Sequence, residues 1–190
     1  MYYSQQQLQD FGLKIGQNVS IHHTVQFFGK NIEIGSNVRI DCFSVISANQ
    51  PVVIGNNVHL GVATHIFGAA GVWIEDYCGI SSRVSIFSTS DDYSEGFLTN
   101  PTIAAQYRKV VAKSVIMKKH VVVGCGSIIM PGVTLAEGAS VGAGSFVTKN
   151  IPAYMIVSGN PVRKVGMRNQ ERLQELEKQH RMEVIDEKQR

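Results

Sequence analysis

The chain of 190 residues is short of several things that would narrow its class. No apolar run approaches membrane-spanning length, so no insertion into a membrane is expected. The opening MYYSQQQLQD has neither a charged leader nor an apolar core behind it. No secretory signal peptide is therefore expected, and the expectation is a cytoplasmic protein. Only three cysteines are present, Cys42, Cys78 and Cys125, in dispersed contexts that form neither a disulfide framework nor a zinc pattern. Charged residues make up 17% of the chain and the net charge is +3, too small an excess to argue for a nucleic-acid partner. Hydrophobic content of 44% and this length suit one domain with tails.

What the chain does have is a period of six. From Met117 to Pro152 it reads MKKHVV, VGCGSI, IMPGVT, LAEGAS, VGAGSF, VTKNIP. Each hexad opens on an aliphatic residue or Met. The second place is often Gly, and the fifth is usually small, as at Ser127, Val133, Ala139 and Ser145. A helix repeats its apolar residues at three and four, and an ordinary strand alternates by two. Six fits neither. It fits short strands joined by tight corners, and a fixed short period signals a solenoid.

The phase runs backward through Ile86, Ile80, Ile74, Ile66, Leu60, Ile54, Ile46, Ile40, Ile34, Phe27, Ile21 and Ile15. The step lengthens to seven after Phe27 and to eight after Ile46 and Ile66, and a long break follows Ile86. Extra residues thus fall after every third hexad. Three hexads therefore make one turn of a triangular prism, and all insertions leave from one corner. Six turns are expected, beginning at Ile15, Ile34, Ile54, Ile74, Met117 and Leu135. At about 4.8 Å between stacked strands the prism is roughly 30 Å long. First-place residues stack on their counterparts one turn away, and no turn buries its apolar face alone.

The expected organisation is an N-terminal cap over residues 1–14, a parallel β-helix over 15–152, and a basic turn with a C-terminal helix over 153–190. Ser4 to Phe11 suits a short helix with Ser4 as its N-cap, covering the open end of the first turn. Residues 92–116 break the period. A loop of this length inside a compact domain is usually functional, and its Tyr93, Phe97, Tyr107 and Arg108 suit a substrate contact. Arg168 to Arg190 is charged and helix-prone, with weak apolar spacing at Leu173, Leu176, Val184 and Ile185.

The hexads, the interrupted corner and the run MKKHVVVGCGSIIMPGVTLAEGASVGAGSFVTKNIPAYMIVSGNPVRKV resemble the hexapeptide-repeat acyltransferases, in particular the galactoside and polysaccharide acetyltransferases. The resemblance covers Ile15 to about Val165. It implies an all-β, left-handed parallel β-helix, an acetyl-CoA donor, a carbohydrate acceptor, and a homotrimer with active sites between subunits. By the same resemblance, CoA lies along a prism edge at Cys125, Gly142, Ala143, Thr148, Lys149 and Arg163, with Lys164 near. Small residues suit corners in any case, but Lys149, Arg163 and Lys164 together suit CoA phosphates.

In the catalytic position the chain departs from the family. Relatives end the hexad before the long loop with a His that acts as general base. Here that hexad is IFSTSD, and the place belongs to Asp91. The cleft Asn of those relatives falls on Gly61. A free Asp titrates near 3.9 against about 6.5 for His, so it is the poorer base. A substitute is sought among residues pointing to the cleft. His59, sixth in its hexad, points outward beside Leu60, and His65 has the same phase one face on. The expectation is His59 of one chain as base, facing Asp91 or Asp92 of the next as orienter. The expected reaction is acetyl transfer to a sugar hydroxyl, with N-acetylation of a nucleotide-linked amino sugar as the alternative, since a bound neutral amine needs a weaker base. A zinc hydratase on the same scaffold would need three converging His, and His59 and His65 point from different faces, so no metal is expected. A non-catalytic scaffold would leave the basic edge and the interrupted corner without a use.

Overall fold

The structure, a computed structural model, describes residues 1–188, with side-chain burial through Val184. Gln189 and Arg190 of the expected C-terminal helix, and the side chain of Ile185, lie outside the described residues.

Three parallel sheets form the faces of a triangular β-helix. The first stacks Lys14–Ile15, Ile32–Ile34, Val52–Ile54, Val72–Ile74, Val115–Met117 and Thr134–Leu135. The second stacks Val19–Ile21, Val38–Ile40, His59–Leu60, Gly79–Ile80, Val122–Val123, Ser140–Val141 and Met155–Ser158, with Arg163–Met167 added antiparallel. The third stacks Gln26–Phe28, Val45–Ser47, His65–Phe67, Ser85–Phe87, Ile128–Ile129 and Phe146–Val147. Register follows the hexads: Ile40 pairs with Leu60, Leu60 with Ile80, Ile80 with Val123, and Val123 with Val141.

Every first-place residue is buried except Ile15 and Phe27, both partly buried in the first turn. There the stack has a neighbour on one side only, and helix α1 (Gln5–Asp10) covers the open end with its buried Leu8. Ser4 caps α1: its hydroxyl accepts from the Gln7 amide while the Gln7 side chain accepts from the Ser4 amide. Where buried fifth-place residues are polar they are paired. The Ser44 and Thr64 hydroxyls donate to the Gly61 carbonyl, and those of Ser127 and Ser145 donate to that of Gly142. A buried hydroxyl without such a partner would be costly.

Two boundaries differ from expectation. The prism does not end at Pro152. Ile151 bridges to Leu135 and Val157 pairs with Val141, opening a seventh turn. The expected basic turn is then the tip of a hairpin whose strands are Met155–Ser158 and Arg163–Met167. At the other interruption, the chain leaves the prism at Thr89 rather than Asp92. Thr89–Asp91 pairs antiparallel with Val110–Ala112, because these segments bond to each other instead of to the turns above and below.

Helix α2 (Gln170–Lys188) lies against the corner between the first and second sheets. That corner is a column of non-glycine residues at positive φ, including Asn37, Asn57, Tyr77 and His120. Asn side chains tolerate this conformation and here link turn to turn, Asn18 to Asn37 and Asn37 to Asn57. Further along, the Tyr77 and His120 rings stack with centroids 5.1 Å apart. Glu177 of α2 meets His120 Nε2 at 2.6 Å and Lys119 Nζ at 3.4 Å, and it also pairs with Arg181. Burial pushes the Glu177 carboxyl up, but the hydrogen bonds from His120 and Arg181 outweigh it and hold the group down at about 2. The helix is thus docked largely by charge, which explains why its apolar spacing is weak.

A group with a depressed folded pKa contributes stability above its unfolded value and loses it as pH falls through the folded one. Glu177 should therefore hold α2 in place down to about pH 4.5, with docking lost progressively towards about 2. Helix signal in circular dichroism across that window should fall earlier in the wild type than the β-helix signal. In Glu177→Gln the helix signal should already be weakened at pH 7. Equal retention in both would show that the carboxylate does not anchor the helix.

Candidate active site

The interruption after the fourth turn creates a bounded hollow. A cavity of about 350 Å³ is lined by Ser90, Asp91, Asp92, Tyr93, Val111 and Thr148, among others. It brings together the two carboxylates, one loop aromatic and one residue of the expected CoA edge. The hairpin of Thr89–Asp91 with Val110–Ala112 positions the carboxylates at the base of the excursion.

The two carboxylates are held differently. Asp92 accepts from the Ser94 amide and hydroxyl at 2.9 and 2.7 Å, and it pairs with Lys109 Nζ at 3.2 Å. These bonds hold its carboxyl down at about 2. A carboxylate so stabilised is a poor proton acceptor; it braces the loop. Lys109 also meets Glu95 at 2.6 Å and lies 5.9 Å over the Phe97 ring. Asp91 is tied less, with one oxygen accepting from the Asn100 amide at 3.0 Å. Tyr93, Phe97 and Tyr107 are exposed on the loop. Arg108 is half-buried, and among the described residues its Nε is buried without a hydrogen-bond partner. An orphaned buried guanidinium nitrogen costs stability unless something else occupies it.

His59 lies on the second sheet, away from this cavity and facing outward. Within its own chain it already has a carboxylate: His59 Nε2 meets Asp41 Oδ2 at 2.8 Å, and Arg39 Nε meets Asp41 Oδ1 at 2.7 Å. Burial raises the Asp41 carboxyl, but those two hydrogen bonds outweigh it and leave it below the usual range. The in-chain orienter of His59 is therefore Asp41, a residue the sequence reading did not single out. The signal was present: the second place of a hexad and the sixth place of the preceding hexad face the same way, so Asp41 and His59, one turn apart, share a face. His65 is on the third sheet, its ring stacked on Phe67 with centroids 6.2 Å apart. The two histidines stand on different faces, and among the described residues no cluster of three metal-ligating side chains occurs.

The expected CoA residues fall into two groups. Cys125, Gly142 and Ala143 lie at the corner between the second and third sheets, with Arg163 and Lys164 on the strand that closes the second. Thr148 and Lys149 lie across the third sheet, just past Phe146–Val147. Cys125, Ala143, Lys149, Arg163 and Lys164 are exposed. None of the three cations enters an ion pair among the described residues. Gly142 has a packing reason: a Cβ there would meet Ser158 Oγ at 2.6 Å. Cys78, by contrast, is buried, and burial pushes its thiol up to about 12, which leaves it inert.

The chain is 40% identical over 176 residues to a dTDP-4-amino-4,6-dideoxy-D-glucose acyltransferase of Escherichia coli, spanning 91% of this chain and 92% of that protein. Among solved structures, AntD, an N-acyltransferase from Bacillus cereus in complex with dTDP and 3-hydroxybutyryl-CoA, superposes with a TM-score of 0.91 at 36% identity, covering 96% of this chain and 97% of AntD. A variant of AntD in complex with dTDP-4-amino-4,6-dideoxyglucose and coenzyme A gives a TM-score of 0.90 at 37% identity, with the same coverage. AntD has been solved with substitutions of a serine and of an aspartate ten residues further along its chain. No protein-family model matches the chain. The hexads, the parallel β-helix and the relatives agree: the chain belongs to the hexapeptide-repeat acyltransferases.

Proposed function

We propose that the protein transfers an acyl group from a CoA thioester to the amino group of a nucleotide-linked 4-amino-sugar, at the cavity that holds Asp91. The observation that carries N- over O-transfer is the group at the end of the fourth turn. A sugar hydroxyl needs a base that titrates near neutral pH, and the cavity lining supplies carboxylates but no imidazole. An amine, once neutral, attacks without prior deprotonation. Its nitrogen adds to the thioester carbonyl carbon, the C–S bond breaks, and the proton lost from nitrogen ends on the departing CoA sulfur. Asp91 accepts an N–H hydrogen bond and so orients the nitrogen lone pair. Asp92 and Lys109 hold the loop over it. The likeness to one protein named for an amino-sugar acceptor and to an N-acyltransferase solved in complex with that amino-sugar nucleotide supports the same reading. In AntD the substituted serine and aspartate are ten residues apart, and both Ser81–Asp91 and Ser82–Asp92 have that spacing here.

The remaining parts follow from the surface. The unpartnered Arg108 Nε suits a diphosphate oxygen of the nucleotide. Lys149, Arg163 and Lys164, free of ion pairs among the described residues, suit the phosphates of CoA. A homotrimer is favoured by the outward side of the third sheet, where Phe67 stacks on Phe87 at 5.0 Å beside exposed Ile128. Such a patch belongs against another surface, and a second copy of the chain is the proposed cover.

With dTDP-4-amino-4,6-dideoxyglucose and acetyl-CoA, free thiol should be released, and the 4-hydroxy sugar nucleotide should give none. Asp91→Asn should lose about 10²-fold or more in turnover, while His59→Ala changes it by less than about tenfold. Turnover on the hydroxyl sugar, or the reverse ranking of the variants, would establish O-transfer with His59 as base.

Removing both charges in Lys149→Met/Arg163→Met should weaken CoA binding by over tenfold, since each charge-assisted contact is worth about 1.5–3 kcal/mol. Thermal stability should hardly change, because both side chains are exposed. Unaltered CoA affinity in calorimetry would place the phosphates elsewhere.

Light scattering at micromolar concentration should return three times the mass of 20.8 kDa. A monomer there would overturn the trimer.

A further inference from the structure

A cavity of about 540 Å³ on the first sheet shares no lining residue with the Asp91 cavity. Its floor is a row of outward side chains in register, Val53, Trp73 and Ile116, each half-buried. Outward positions on a solvated sheet face are expected to be polar. Elsewhere on this sheet they are: Lys14, Glu33 and Thr134 hold the same column in other turns. An indole between two aliphatic side chains is therefore a local departure that packing of the core does not require.

The indole is also fixed in place. Gly71 leaves room for it: a Cβ there would lie 2.5 and 2.6 Å from two carbons of the ring. The ring is thus laid along the face as a rigid platform, so little rotamer freedom is lost when something stacks on it.

The rim selects for charge. Glu75 pairs with Lys118 at 2.6 Å and accepts from the Lys119 amide at 3.2 Å. Lys119 Nζ is in turn engaged by Glu177. Asp76 accepts from the Asn56 amide at 2.7 Å. The rim carries two carboxylates, Glu75 and Asp76, and two ammonium groups, Lys118 and Lys119, so a cation meets both lysines and an anion both carboxylates. A neutral ligand with one apolar face and peripheral hydroxyls meets no such repulsion: its hydroxyls can add to the Glu75 and Lys118 groups, whose side chains remain 39% and 47% exposed.

From this we infer that the Val53–Trp73–Ile116 face is a second carbohydrate site, distinct from the transfer site, that stacks one neutral pyranose ring on the indole. The C–H face of the sugar covers the indole, and the flanking Val53 and Ile116 favour a 6-deoxy ring, whose methyl group replaces a hydroxymethyl.

The chain has one tryptophan, so its own emission reads this site. The full-length protein is titrated with methyl α-D-glucopyranoside, with its 6-deoxy counterpart, and with dTMP. The expected result is a saturable change in Trp73 emission with both glycosides, half-complete at about 1–50 mM, and lower for the 6-deoxy sugar. Ile116→Thr, which keeps a β-branched residue and leaves Trp73 in place, should raise the half-saturation about fivefold or more without altering transfer. Asp91→Asn should keep the full emission response, so a failure of the transfer reading leaves this result standing and the converse holds too. The proposal is overturned if neither glycoside gives a saturable change, if dTMP alone does, or if emission shifts with protein concentration in the absence of sugar. That last outcome would mean the indole is covered by a second copy.

Discussion

Everything in this molecule depends on backbone hydrogen bonding between successive turns in strict register. Each turn donates to and accepts from its neighbours, as in the chain of amides from Gly16 through Gly35 and Gly55 to Glu75 that reach the carbonyls of Ile34, Ile54, Ile74 and Met117. With spacing fixed at about 4.8 Å, like must stack on like inside the prism. One inward residue per strand and one per corner are then set by packing. Chemistry is confined to the outward places, the corners, and whatever leaves the prism between turns.

That confinement explains why the fold was legible and the site only partly so. The inward residues carry a one-in-six signal that survives insertions, so Ile40, Ile80 and Val141 could be assigned to the core without a structure. The seventh turn is less legible than the first six for a definite reason. From Val147 to Ile151 the step is four, and a search in sixes ends there although Ile151 and Val157 continue the stack. Outward places carry no such period. The partnership of Asp41 with His59 needed the rule that second and sixth places share a face, applied across two turns. The docking of α2 was hidden more deeply, because its contacts are polar. No apolar stripe announces a helix held by Glu177 against Lys119 and His120.

The same physics separates residues that look alike in sequence. Asp91 and Asp92 are adjacent, yet one is saturated by Ser94 and Lys109 while the other keeps an oxygen available to the cavity. The distinction arises from the β-ribbon at the loop base. Asp91 pairs with Val110 within the ribbon, whereas Asp92 stands opposite Lys109, its amide donating to the Lys109 carbonyl at 2.8 Å and its side chain reaching the Lys109 ammonium. Cys78 and Cys125 are divided in the same way: a fifth place buries the first and a corner exposes the second. Residue type alone would have treated each pair as equivalent.

A prism with three faces also keeps its sites independent. In a globular core, a ligand that shifts one strand shifts the residues packed behind it. Here the side chains behind each face are aliphatic groups stacked along the axis, and the backbone of a turn is bonded both above and below. A change at the first sheet is therefore resisted by the stack before it reaches the third. The excursion at Thr89–Ala112 is the exception, since Thr89–Asp91 and Val110–Ala112 bond to each other rather than to the ladder. A fold of this kind can place a flat surface on one face and a self-bonded loop at a corner. The proposed transfer site draws on the loop, and the proposed indole platform on the flat face. The two demands do not compete because no single turn has to meet both.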